Sequence, residues 1–348
     1  MFWKRKKIDI GIVIFELTDA CNQSCRFCYN HFKGVETKCV VEAPDFRQAR
    51  QTLKRLQREA NIASISLSGG EPMLLPRIHD LILRARANGS NVNLLTNGTL
   101  LTADDIEIID NLGVGLVQIP ILSHKAEVHD HITMLEGSWE RATRSAKHIA
   151  EMRAEWLTPV FILSKLNVAD IEPTLELYAS WGVKRIMLNR FNIGGLGRKY
   201  ADELTLSHEE LREAFGRANR KLEELGMRAH NGVCTPMCLL RPEEYPNITF
   251  THCTTDLLSR PLTINYRGDV RFCNHSPRVM GNIHQEPLTK ILERETLDGY
   301  YSTIPTKCSE CDLWERCRGG CRAASEQLYG TFDRVDPILD LETEKFSI

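Results

Sequence analysis

Six apolar, β-branched runs (8–16, 62–67, 91–95, 114–121, 158–163 and 184–189) alternate with amphipathic helical patterns, among them 44–60, 76–89 and 138–155. No other feature constrains the fold as much. Strands separated by helices cannot pair as hairpins, so they form βα units in a parallel sheet. Six units in this length suit an open or partial barrel, because a full eight-unit barrel typically needs about 250 residues. A further amphipathic helix is predicted over 205–226, ending at Gly226, and the region after 240 is short-stranded and turn-rich. The expected fold is therefore α/β: a partial (β/α)6 TIM-like barrel over 1–204, a bridging helical segment over 205–240 and a small cysteine-rich α+β domain over 241–348.

The 348 residues carry a formal charge of −2, which leaves no electrostatic footprint for nucleic acid. No apolar run reaches the roughly 20 residues of a membrane span. The opening MFWKRKKIDIGIVIFEL has basic residues before an apolar stretch, as a signal peptide does. Asp9 interrupts that stretch and no small-residue cleavage site follows, so it reads as a first strand and the expected location is cytoplasmic. In a reducing compartment twelve cysteines point to metal binding or catalysis, not to a disulfide framework. They fall in two groups: Cys21, Cys25, Cys28 and Cys39, then none until Cys234, Cys238, Cys253, Cys273, Cys308, Cys311, Cys317 and Cys321.

Cys21, Cys25 and Cys28 directly follow the first strand, at the end of a barrel where chemistry sits. Three thiolates within eight residues can hold three corners of a [4Fe–4S] cluster and leave one iron open. The alternative is a zinc site, for which His31 or Cys39 would supply the fourth ligand. Ser68-Gly69-Gly70-Glu71-Pro72 follows the second strand and Thr96-Asn97-Gly98 the third, so both loops face the same mouth. The glycines let backbone approach a ligand closely, and Glu71 can accept hydrogen bonds from an ammonium group. The spacing Cys308-x2-Cys311-x5-Cys317-x3-Cys321, preceded by Cys253 and Cys273, holds too many thiols for one tetrahedral site. Two metal centres, or one plus spare thiols, are implied.

C-x3-C-x2-C with an aromatic residue, Phe27, before the last cysteine resembles the signature of the radical S-adenosylmethionine (radical SAM) enzymes. The resemblance implies a partial (β/α)6 barrel and a cluster whose open iron chelates S-adenosyl-L-methionine. One electron then yields a 5′-deoxyadenosyl radical that abstracts a substrate hydrogen. It further implies that Gly69, Gly70 and Glu71, with Pro72 closing the motif, hold the methionine amino group, and that Phe27 and the Tyr29 backbone face the adenine. Asn97, Ser164 and Asn167 align with cofactor-facing positions. So does Arg190, for which a sheet-end salt bridge is the equal alternative. His129-Asp130 and Gly137-Ser138-Trp139 follow the family pattern, whereas Pro120 and Leu122 stand where a polar pair is expected, leaving Ser123 as the ribose contact.

The C-terminal cysteines, with Gly281-Asn282-Ile283 and the Arg-Gly-Gly-Cys-Arg stretch at 318–322, resemble the SPASM extension of that family. The resemblance implies one auxiliary cluster on Cys253, Cys273, Cys321 and an upstream cysteine, with Cys238 preferred and Cys234 the competitor. A second cluster takes Cys308, Cys311 and Cys317. Its fourth ligand in the family is a cysteine further downstream; none follows Cys321 here, which leaves an open iron or an oxygen ligand from Asp336 or Asp340. A zinc ribbon is the alternative for this region. Cys39 is either a packing thiol or a hydrogen-atom donor, the one catalytic candidate.

The family implies an oxidoreductase that modifies a peptide substrate, or one that tailors a tetrapyrrole; a non-catalytic iron–sulfur carrier is disfavoured by the loops after the second and third strands. A reductant such as flavodoxin or ferredoxin is expected. Because the cluster motif begins at residue 21, a separate leader-recognition adaptor is expected to present a peptide, or the enzyme recognises it directly.

Overall fold

The computed structural model describes residues 7–33, 45–254, 258–293 and 303–340; Cys39 lies outside them. The six apolar runs are strands β1 (Ile8–Glu16), β2 (Ala60–Ser68), β3 (Asn91–Leu95), β4 (Leu116–Pro120), β5 (Leu157–Leu163) and β6 (Arg185–Arg190). They pair in parallel in that order. Ile10, Val13 and Phe15 of β1 and Ile65 and Leu67 of β2 are buried in one core with the helices that cover the sheet.

Those helices are α1 (Phe46–Glu59), α2 (Ile78–Ala87), α3 (Ala103–Asn111), α4 (Ala126–Thr133), α5 (Ser138–Arg153) and α6 (Ile171–Ser180). Helix α1 shows why they form. Ala49, Thr52, Leu53 and Leu56 repeat at helical spacing and are buried, while the Asp45 carboxylate caps the first turn by accepting from the Arg47 and Gln48 N–H groups.

After β6 come a one-turn helix α7 (Ala201–Leu204) and the long α8 (His208–Glu224), which opens on a Ser207/Glu210 capping box. Strands β7 (Arg228–Asn231) and β8 (Ile248–Phe250) then extend the sheet in parallel beyond β6. The chain returns to the opposite edge, where β9 (Pro261–Asn265) runs parallel to β1; β10 (Asp269–Arg271) and β11 (Gly281–Asn282) continue antiparallel. The resulting eleven-stranded order, β11-β10-β9-β1-β2-β3-β4-β5-β6-β7-β8, does not close.

The partial barrel is thus present, and its sheet runs on at both edges into segments whose sequence reads as a helical bridge and a turn-rich domain. These added strands have two to five residues, too few for alternation to register. Short helices α9 (Leu288–Leu292), α10 (Trp314–Cys317) and α11 (Arg322–Tyr329) complete the C-terminal part. Among the described residues no helix is long and apolar enough to cross a membrane.

Candidate active site and auxiliary thiol sites

Cys21, Cys25 and Cys28 lie on the loop that leaves the C-terminal end of β1. The Cys28 N–H donates to the Cys25 carbonyl at 3.0 Å, and the Gln23 N–H donates to Cys21 Sγ at 3.4 Å. Burial pushes the Cys21 thiol up to about 11, against the pull of Lys33. Burial, then the neighbouring Cys21 and Cys28, raises Cys25. Lys33, itself buried, donates from Nζ to the Gln23 carbonyl at 2.7 Å and so fixes a positive charge against the loop.

Three loops form one hydrogen-bonded mouth. The Gly70 N–H donates to the Thr18 carbonyl (2.7 Å) and the Glu71 N–H to the Ala20 carbonyl (2.8 Å). Asn22, inside the cysteine motif, donates to Thr99 Oγ1 at 2.8 Å and accepts from Asn97 Nδ2 at 2.7 Å. Asn30 donates to the Gly69 carbonyl at 3.0 Å. The glycine pair is required by these contacts: Gly69 has φ +127°, and a Cβ on Gly70 would stand 2.0 Å from the Ala20 carbonyl oxygen. Here the close approach is to the protein's own cysteine loop.

Several side chains expected to face the cofactor are engaged elsewhere. Glu71, fully buried, accepts from Thr96 Oγ1 (2.6 Å), the Asn97 N–H (2.8 Å) and the Met73 N–H (3.0 Å), so its carboxylate organises two loops where an ammonium contact was expected. Pro72 starts the short turn beneath it. The Ser123 hydroxyl donates to Asp170 Oδ2 at 2.7 Å and accepts from the Lys125 N–H, so it braces its loop. Asn167 accepts from the Ser164 N–H and hydroxyl and donates to the Leu122 and Ile162 carbonyls, which uses its whole amide to join two strand ends.

Arg190 takes the salt-bridge alternative. Its guanidinium pairs with the buried Asp336 carboxylate and donates to the Cys234 carbonyl (3.1 Å) and Thr235 Oγ1 (3.2 Å). Phe27 packs on a small cluster of Phe191, Ile193, Ala201 and Leu204. Tyr29 faces the C-terminal part: its hydroxyl accepts from Asn274 Nδ2 at 2.6 Å, its ring lies 4.8 Å from that of His275, and its carbonyl accepts from Gln327 Nε2 at 3.0 Å.

The eleven described cysteines form no disulfide. The C-terminal eight divide into two sets. Cys234 shares a thiol hydrogen bond with Cys253, and that bond, burial and the charges of Cys253, Cys321 and Cys273 raise it well above the usual thiol range. The sequence preferred Cys238 at this corner. In the structure Arg190 holds the Cys234 carbonyl, and the turn at 236–240 docks on Cys317 of the other set. In that set burial and the thiols of Cys317, Cys311 and Cys238 raise Cys308 to about 11.

Both carboxylates expected as oxygen ligands are ion-paired within the protein. Asp336 pairs with Arg190 and accepts from the Cys321 N–H at 2.7 Å. Asp340 pairs with Lys307 and Arg334. Cys234 is the competitor already named for its corner, and the sequence suggested no role for Asn22, Lys33 or Gln327. Of these only Asn22 lay inside a recognisable motif.

Among the described residues no three His, Cys, Asp or Glu side chains converge as the ligands of a single metal ion do. Thiolate sets of this kind suit iron–sulfur clusters, whose irons each take a thiolate ligand.

The radical SAM superfamily model matches residues 15–178, and the iron–sulfur cluster-binding SPASM domain model matches residues 253–321. Fe-coproporphyrin III synthase of Methanosarcina barkeri is 26% identical over 372 residues, spanning 99% of this chain and 90% of that protein. PqqA peptide cyclase of Gluconobacter oxydans is 26% identical over 341 residues, spanning 94% and 90%. Among solved structures, anSMEcpe with bound AdoMet superposes with a TM-score of 0.72 at 14% identity, covering 96% of this chain and 91% of that one. SuiB of Streptococcus suis bound to S-adenosylmethionine gives 0.71 at 15%, covering 95% and 77%. At such identities the structures establish the shared fold. Radical SAM domains bind S-adenosyl-L-methionine and a [4Fe–4S] cluster, and SPASM domains bind auxiliary iron–sulfur clusters; these are the cofactors the two matched domains bring. The chain is a radical SAM enzyme whose partial barrel is followed by a SPASM domain.

Proposed function

We propose that this enzyme oxidatively modifies a ribosomally made peptide, by crosslinking, epimerisation or a related maturation step. In this reading Cys21, Cys25 and Cys28 ligate the first [4Fe–4S] cluster and leave one iron for S-adenosyl-L-methionine. Cys234, Cys253, Cys273 and Cys321 hold an auxiliary cluster. When bound, the first cluster and S-adenosyl-L-methionine supply one-electron chemistry that removes a hydrogen atom from the substrate.

The observation that carries the proposal is Tyr29. It follows Cys28 directly, and its hydroxyl is held by Asn274, the residue after Cys273. One half-buried side chain therefore links the cysteine motif at the mouth to the segment that carries Cys273. The Tyr29 and His275 rings pack together there. A second acceptor linked in this way suits a product two electrons below its substrate. PqqA peptide cyclases are among the relatives, and SuiB has been solved with its precursor peptide SuiA. A flavodoxin or ferredoxin supplies the electron, and a separate leader-recognition adaptor, where one is needed, presents the peptide.

The test is anaerobic reconstitution with reductant and a library of short peptides, read by mass spectrometry. A peptide lighter by two hydrogens, or one that gains deuterium from solvent, supports the proposal, together with 5′-deoxyadenosine release that Cys25→Ala abolishes. Unchanged release in Cys25→Ala overturns it. A tetrapyrrole substrate is the second reading, favoured by the match to Fe-coproporphyrin III synthase along nearly the whole chain. Tight binding of an iron porphyrin, with no peptide turned over, decides for it.

A further inference from the structure

We propose that Cys238 is the fourth thiolate of the second auxiliary site, closing it with Cys308, Cys311 and Cys317. This ligand lies outside the matched SPASM segment and on the opposite side of it from the downstream cysteine that the family pattern uses. The inference does not depend on the peptide reading.

The turn at 236–240 makes the placement. The Leu239 and Leu240 N–H groups both return to the Pro236 carbonyl, at 3.0 and 3.1 Å, so the chain folds back on itself around residue 238. Within that turn the Met237 N–H donates to Cys317 Sγ at 3.3 Å, which docks the segment directly on a thiol of the second set. Cys238, next in sequence, therefore leaves the turn beside the segment that carries Cys317. Across the site the Arg318 and Gly320 N–H groups close the turn that carries Cys317, and a Cβ added to Gly319 would stand 3.9 Å from Cys308 Sγ. The two segments that carry the four cysteines are thus docked on each other at Cys317.

The competing ligands are occupied. Asp336 is held by Arg190 and the Cys321 N–H beside the first auxiliary set, and Asp340 by Lys307 and Arg334. Cys234, four residues and one turn earlier, belongs with Cys253. The eight C-terminal thiols therefore divide four and four. A four-thiolate site has no iron left for substrate, which assigns the second auxiliary cluster to electron transfer and not to substrate coordination.

The test uses the full chain carrying Cys21→Ala, Cys25→Ala and Cys28→Ala, so that the open first cluster contributes no signal. After anaerobic reconstitution this protein is expected to hold about eight irons, two complete [4Fe–4S] clusters, and to show no three-iron EPR signal on mild oxidation. Adding Cys238→Ala is expected to lower the content to about seven irons, to produce the three-iron signal, and to make the spectrum respond to an added small thiol. Cys238→Ser is expected to keep the fourth iron and shift the reduced-state signal.

Cys238 is exposed, so its replacement empties no core; the unchanged signal of the first auxiliary cluster and an unchanged melting curve check the fold. The same comparison in otherwise unaltered protein, with S-adenosyl-L-methionine saturating the first cluster, guards against a background that folds poorly. The proposal is overturned by a Cys238→Ala spectrum identical to its parent, by Cys234→Ala producing the second-site changes instead, or by a parent that holds only about four irons in the C-terminal part.

Discussion

Gly70 ties the loop after β2 to the cysteine loop through backbone alone, and a Cβ there would collide with the Ala20 carbonyl at 2.0 Å. Gly70→Ala is expected to force the two loops apart and to lower the iron held by the first cluster well below the wild-type content, while auxiliary iron is retained; iron and sulfide analysis of the purified protein checks this. His129 is a second residue with a sharp signature. It is buried, its Nδ1 accepts from the Leu122 N–H at 3.1 Å, and burial lowers its pKa to about 4. A cationic group whose folded pKa lies below its unfolded value contributes stability above the unfolded value, lost as pH falls from about 6.5 toward 4. His129→Asn keeps an acceptor for Leu122 and cannot ionise. Its melting temperature is expected to fall less than wild type between pH 6.5 and pH 5; parallel curves would disprove the assignment. These side chains show what sequence position conceals. Ser123, Ser164, Asn167 and Arg190 stand at strand ends facing the mouth, yet each is turned into a brace. A hydroxyl, amide or guanidinium at a strand end serves a ligand or a neighbouring carbonyl equally well, and only the surrounding burial decides.

The principal elements were legible because their signals are long. Each of the six barrel strands begins and ends within two residues of an apolar run, and α8 spans most of the predicted 205–226. Strands β7 to β11 were not, since their pairing is imposed by the edges of a sheet already formed. Cys234 and Cys238 show the same limit: four residues apart, they have no distinguishing pattern until β7 and the turn at 236–240 send them to different sets. Two predictions belong here. In α8, Gly216 is helical with room for a methyl group, the nearest atom to its Cβ being Arg220 Nη1 at 3.6 Å. Gly216→Ala is expected to stabilise the protein by about 0.5–1 kcal/mol, measured by thermal or denaturant unfolding. The Arg190–Asp336 pair clamps β6 to the C-terminal segment with both side chains buried. Arg190→Met leaves Asp336 uncompensated and is expected to cost about 3–5 kcal/mol. Combining it with Asp336→Leu should recover part of that loss; equal destabilisation in the single and double variants would show that the charge is not what matters.

At the scale of the molecule, the barrel and the cysteine-rich part are built into each other. Strand β9 covers the edge of β1, pairing Ile12–Glu16 with Pro261–Asn265. The buried Glu16 carboxylate at the end of β1 has its cation in Arg271 of β10, which opposes the upward push of burial on its pKa. Gln327 of α11 donates to the Tyr29 and His275 carbonyls and accepts from the Gly195 N–H, so one amide satisfies backbone groups of three segments at the junction. A chain cut after residue 252 would lose all three ties. It would bare an edge strand whose Val13 and Phe15 are wholly buried in the intact protein, and strand edges of that kind aggregate. It would also strand the Glu16 charge in an apolar setting, where an unpaired ion is costly. The expected outcome is that this truncated chain, although it keeps Cys21, Cys25, Cys28 and every loop of the mouth, is recovered as aggregate and holds no first cluster, while the intact protein melts in a single transition. A soluble, monomeric fragment that binds iron and cleaves S-adenosyl-L-methionine would show instead that the barrel folds alone, and that the shared sheet serves only to bring the auxiliary thiols to the mouth.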